Sequence, residues 1–78
     1  MMQSRFQRFR LNRVKDRSGI SGTGTVAEGV EFSTGQCVLC WLRETSSGNG
    51  SIATYQSIDH VVKVHGHAGD TRVEWLVP

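Results

Sequence analysis

Long hydrophobic runs are missing from this chain. The stretch Val38–Leu42 is among its longest apolar segments, far short of the roughly 20 residues that span a bilayer as a helix. The start is basic, but no apolar segment follows it, so no secretory signal is expected. The expected location is therefore cytoplasmic, inside a host cell. Cysteine is scarce. Cys37 and Cys40 alone make no disulfide framework and agree with a reducing compartment. Internal repeats and low-complexity linkers are also lacking, so the 78 residues are read as one domain, 1–78. A core this small leaves a thin stability margin, for which oligomerisation is a common remedy.

The net charge of +2 hides an asymmetry. Arg5, Arg8, Arg10, Arg13, Lys15 and Arg17 face only Asp16 within residues 1–17, while residues 18–78 are acidic on balance. One reading is an edge strand whose charges block sheet-to-sheet aggregation. The other is a patch that meets phosphate or an acidic protein face. Only Phe6 and Phe9 interleave with these cations, too few aromatics for a base-stacking platform.

Along the chain, Phe6–Val14 alternates loosely, with Phe9 and Leu11 on one face and Arg8, Arg10 and Asn12 on the other. It reads as a strand at a sheet edge. The span from Asp16 to Gly24 carries three glycines and two serines and reads as a loop. Thr25–Phe32 is a second strand, in which a bulge at Gly29 would re-aim Glu28. A short turn at Ser33-Thr34-Gly35 leads into Gln36–Arg43, apolar on both faces. That pattern points to a strand buried on both sides, or to one with a face at an interface. A polar loop, ETSSGNG, precedes a fourth strand over Ser51–Gln56.

Ser57 can cap a helix, and Asp59 suits its first turn. Ile58, Val61, Val62 and His65 fall on one helical stripe, and Gly66 is a natural stop. A last strand follows over Thr71–Leu76, with Thr71, Val73 and Trp75 inward and Arg72 and Glu74 outward. The element order β-β-β-β-α-β predicts a mainly β (α+β) fold. The expectation is a small five-stranded, strongly bent antiparallel sheet or barrel, with one short helix (57–66) before the last strand.

Several constellations invite chemistry. Cys37-x-x-Cys40 has the look of half a zinc site, with His65 and His67 as further ligands. Residues three apart on a strand point to opposite faces, however, so two small hydrophobes in a core strand is the preferred account. Ser57, Asp59 and His60 are triad residue types, but neighbours on a helix start cannot form the relay, and no nucleophile elbow is present. Gly22-Thr23-Gly24 lacks the lysine and helix of a phosphate loop. No catalytic group, metal or cofactor is assigned, and the protein is not expected to be an enzyme. The pair His65-Gly66-His67 stands apart. With Arg72 just beyond, and Trp41, Tyr55 and Trp75 on the adjoining sheet, these residues would suit a nucleotide-like or phosphate-bearing ligand. The alternative is that His65 caps carbonyls and His67 is solvated.

The segments SGISGTGTVAEGVEFSTG, VLCWL and SIATYQSIDHVVKVHGHAGDTRVEWL resemble a family of short proteins from bacteriophage and actinobacterial genomes. Its pattern is SGxSGTG-VAEGV-F, then SI-DV--HGH-G-TR--W. The resemblance covers residues 18–76. The chain departs from it at Cys40, where the family usually has arginine, at Thr34, where it has aspartate, and in a longer ETSSGNG loop.

The resemblance implies a mobile-element accessory protein that inhibits a bacterial defence system by stoichiometric binding. Two versions follow. The protein occludes an anti-CRISPR-type target, a bacterial defence protein complex, through the Arg5–Arg17 stripe. Or it sequesters a nucleotide immune signal through His65, His67, Arg72, Trp41, Tyr55 and Trp75. The rival class is a small nucleic-acid-binding β-module that uses the same basic stripe. A homo-oligomer fits either version; a membrane partner fits neither.

Overall fold

In a computed structural model, residues 6–16, 19, 22–42 and 50–76 are described. Five strands, β1 (Gln7–Arg13), β2 (Gly24–Glu31), β3 (Cys37–Trp41), β4 (Ile52–Tyr55) and β5 (Thr71–Leu76), form one antiparallel sheet in the order β4-β3-β2-β1-β5. A single helix, α1 (Ile58–His65), lies between β4 and β5 in sequence. The sheet is open, so the barrel alternative is not realised.

β1 is not an edge strand. It lies between β2 and β5, and the two edges are β4 and β5. Chain connectivity gives the reason. α1 carries the chain from the β4 edge over one face to the far side of β1, so the first and last strands pair. Arg8 and Arg10 mark the uncovered face of an interior strand rather than a sheet edge. An antiparallel sheet packed on one side tolerates charge on the other.

Cross-strand pairing sorts every strand residue. Phe9, Leu11, Ala27, Leu39 and Val73 share the helix-covered inner face. Arg8, Arg10, Glu28, Val38, Cys40 and Glu74 share the outer face. The core is made by the inner set, with Phe9, Leu11, Val26, Ala27, Cys37 and Leu39 buried against Val61 of α1. The bulge is not at Gly29. Register shifts between Leu11 and Asn12, which leaves Val26 as the extra residue on β2 and allows both Val26 and Ala27 to be buried. Glu28 then falls on the outer face by plain alternation. Gly29 serves a different purpose: a Cβ there would lie 2.5 Å from Phe9 Cζ and 2.7 Å from the Val38 carbonyl oxygen. The space it leaves is filled by the Phe9 ring.

α1 starts as the sequence indicates. Ser57 is extended at φ −161°, and its hydroxyl accepts from the His60 N–H at 3.2 Å. The buried stripe is narrower than expected. Val61 is buried and Ile58 and His65 are half-buried, but Val62 is exposed. Eight residues laid across a twisted sheet have room for one row of contacts.

Thr71, at the start of β5, is buried, and its hydroxyl has no hydrogen-bond partner among the described residues. A buried hydroxyl without a partner costs about 1–3 kcal/mol. Thr71→Val keeps the shape and removes the polar atom. It is expected to raise stability by about 1 kcal/mol, which for a domain of this size is about 4–8 °C in Tm. Thermal melts of the two proteins check this; an unchanged or lower Tm contradicts it.

Candidate binding site

The inner face carries an aromatic and imidazole cluster where α1 passes over β3 and β4. Trp41 ends β3, Tyr55 ends β4, and His60 and His65 lie on α1. Tyr55 Oη and His65 Nε2 are 2.6 Å apart in a hydrogen bond. The Trp41 ring meets the His65 ring edge-on, with centroids 4.8 Å apart. Tyr55 meets His65 at 5.6 Å and His60 at 5.5 Å, also edge-on. Trp41, Tyr55 and His65 are all half-buried, so each has one side on the core and another toward solvent.

The expected ligand residues separate into three groups. Trp41, Tyr55 and His65 are brought together. Trp75 shares the inner face but sits on the opposite edge strand, edge-on to Phe9 at 5.5 Å, with the Phe9 and Gly29 positions between it and Leu39. Arg72 pairs with Asn12 and so lies on the outer face, away from His65. The side chain of His67 lies outside the described residues. A single pocket holding Arg72 and Trp75 with the histidines is therefore not formed. The sequence pattern names His60 only as a triad residue type beside Ser57 and Asp59 and does not assign it to this site. Its signal was spacing: His60 and His65 are five residues apart, which places them on either flank of a helix that faces Tyr55.

The basic stripe is divided as well. Arg8 and Arg10 lie on the outer face, while Arg13, opposite Thr71 and Gly24, has inner-face parity. Lys15 lies beyond the strand, where the Val14 and Lys15 N–H groups donate to the Asp70 carbonyl. Arg5 and Arg17 lie outside the described residues. Arg10 is already engaged. Its Nε donates to Glu74 Oε1 at 2.7 Å, and Asn12 donates to the other carboxylate oxygen at 3.1 Å.

Those hydrogen bonds, from Arg10 first and Asn12 second, hold the Glu74 carboxyl below its ordinary value. A carboxyl depressed in the folded state stabilises the fold above its unfolded pKa, about 4.3. That contribution is lost as pH falls through the lower folded value. Glu74→Gln is therefore expected to lower Tm slightly at neutral pH, and the difference from the parent should shrink toward zero in acid. A gap that persists in acid contradicts the assignment.

The cysteines divide between faces. Cys37 pairs with Tyr55 and Glu31, Cys40 with Ile52 and Glu28, so the two sulfurs cannot meet one ion. Burial, and secondarily Glu31, push the Cys37 thiol up, which disfavours the thiolate that a metal or an electrophile would need. Gly22, in the turn that lacks the features of a phosphate loop, donates its N–H to the Asp16 carboxylate at 2.6 Å. An internal anion already takes that donor. Among the described residues no helix is long and apolar enough to cross a membrane.

A one-sided antiparallel sheet with a single crossing helix and a half-open aromatic–imidazole cluster defines a small α+β protein with one candidate ligand face. The family model described as Acb5 phage protein matches residues 6–77. The chain belongs to that family of phage proteins. No curated protein and no solved structure matches it.

Proposed function

We propose that this phage protein acts against a bacterial defence system by stoichiometric, non-catalytic binding of a nucleotide-like immune signal at the Trp41–Tyr55–His60–His65 cluster. The observation that carries the reading is the 2.6 Å Tyr55–His65 hydrogen bond beneath the edge of Trp41. It holds two aromatic side chains and an imidazole in fixed orientation with part of each open to solvent. Rings of this kind offer stacking surface to a base, and stacking is worth about 1–3 kcal/mol per base. Imidazole nitrogens and a phenol can address phosphate or base edges. Pre-ordering by the helix lowers the entropy cost of binding.

The occluding version needs a continuous basic surface. Arg13 has the opposite parity to Arg8 and Arg10, and Arg10 is held by Glu74. That division also weakens the nucleic-acid reading, which needs a track of free cations.

The test is titration of the full chain with purine and pyrimidine mono-, di- and cyclic nucleotides, read by calorimetry, followed by chromatography of the released ligand. Saturable binding with ligand recovered intact supports sequestration. Absence of binding across the set overturns the reading, and recovery of a cleaved product overturns its non-catalytic part.

A further inference from the structure

Tyr55 Oη and His65 Nε2 stand 2.6 Å apart, and a separation that short holds a single hydrogen between the two atoms. Two arrangements satisfy it. The phenol donates to a bare Nε2, or a protonated Nε2 donates to the phenol oxygen. The choice fixes what the cluster shows a ligand. In the first, the phenolic hydrogen points at His65, and Oη offers solvent its lone pairs alone, which repel an anion. In the second, the phenolic hydrogen is free to turn outward and donate.

We infer that ligand capture at this cluster takes up one proton on His65, so that Tyr55 can donate its hydroxyl hydrogen to a phosphodiester oxygen. This coupling rests on the nucleotide reading of the cluster and names the part of the nucleotide that meets Tyr55. The proton comes from solvent and lands on Nε2, while Nδ1 keeps its own. Nε2–H then donates to Oη, and the Oη hydrogen swings to the ligand oxygen. No bond within the ligand forms or breaks. An anion close to an imidazole stabilises the protonated ring. Histidine's ordinary value, about 6.5, lets that bias act near neutral pH. Tyr55 and His65 are both half-buried, which strengthens the hydrogen bonds of the relay.

The groups facing His65 come from four elements and the turn after α1. β4 supplies Tyr55 and β3 supplies Trp41, with the Cys37 thiol, pushed up by burial, further along the same inner face. The inner residues of β5 are Thr71, Val73 and Trp75, none of them charged, while Arg72 and Glu74 lie on the opposite face. Asp70 is buried at the start of β5. α1 itself carries His60, Asp59 and Lys63, all exposed, and His67 follows in the turn. His60 and His67 are therefore the imidazoles to separate from His65.

The test is calorimetric titration of the full chain with purine and pyrimidine cyclic mono- and dinucleotides. It runs from about pH 5 to 8, where histidine changes charge and a phosphodiester does not. Affinity is expected to be highest in acid. It should fall as pH rises through the value of the free ring, by about tenfold per pH unit for one proton, and level off above the value of the bound ring. Heats measured in buffers of different ionisation enthalpy should show a proton taken up. Nitrogen NMR of the unsubstituted protein at about pH 7 should find Nε2 of His65 largely bare in the free chain and largely protonated in the complex. His65→Gln, whose amide can donate to Oη at every pH, should bind with a flat profile and take up no proton. His60→Gln and His67→Gln should keep the slope, whatever they do to affinity.

A flat profile in the parent, a bare Nε2 in the complex, or a slope that survives His65→Gln overturns the inference and leaves the nucleotide site standing. Absence of binding to every cyclic nucleotide at every pH overturns the inference too, and the site falls with it when the linear nucleotides also fail to bind.

Discussion

Gly29→Ala is expected to lower the Tm by on the order of 15 °C, and Gly29→Val to leave the chain unfolded at room temperature. The added methyl has nowhere to go. Phe9 is fully buried, and its ring atoms would lie 2.5 and 2.9 Å from the new Cβ. The third neighbour, at 2.7 Å, is the backbone carbonyl of Val38 on the paired strand, which cannot turn away without breaking the ladder. Overpacking of this kind costs about 1–3 kcal/mol, and a core this small supplies only about 3–5 kcal/mol in total. Phe9→Leu should recover part of the loss in the Gly29→Ala background, because it shortens the side chain the methyl strikes. A double-mutant cycle isolates that coupling. A Gly29→Ala protein that melts within a degree or two of its parent contradicts the packing described here.

The second large effect concerns binding rather than stability. Tyr55→Phe takes from His65 its tyrosine partner at a half-buried site. It is expected to cost about 1–2 kcal/mol of stability, the penalty of removing one half of a hydrogen-bonded pair. The double change Tyr55→Phe/His65→Leu removes both polar groups together and should return most of that stability, since apolar replacement of both partners is nearly neutral. The same double variant should bind the nucleotide found by calorimetry about 100-fold more weakly, a loss of roughly 2.7 kcal/mol.

Trp41→Ala should weaken binding about tenfold or more through lost stacking. Stability and affinity thus part company in the double variant. If its affinity matches that of the parent, the pair serves only to hold α1 on the sheet, and the proposed site is wrong. A variant as unstable as Tyr55→Phe would show instead that His65 is needed for packing.

Two imidazoles and two glycines stand close together within residues 65–69. The structure divides that segment. His65 turns inward to Tyr55 and Trp41, and Ala68 takes a left-handed backbone at φ 56° in the turn toward β5. The separation of Arg72 from His65 was already implied by alternation along Thr71–Leu76, which put Arg72 outward while Trp75 pointed in. Nearness in sequence does not put two residues on one face of a strand; the period-2 rule decides that.

Local pattern alone settled the five strands, the helix start at Ser57, the face of each β5 residue and the opposed directions of Cys37 and Cys40. Alternation, capping and turn chemistry act over a few residues, so they can be read from neighbours. Tertiary structure decided the rest. It placed β1 in the interior of the sheet, left the sheet open, moved the bulge to Val26 and gave Gly29 its role under Phe9. It also joined His60 and His65 to Tyr55 and Trp41, and split the arginines between faces. Each of these depends on which strand lies beside which. That is set by where the helix carries the chain across the sheet, a long-range outcome of burying one apolar face that no short window of sequence contains.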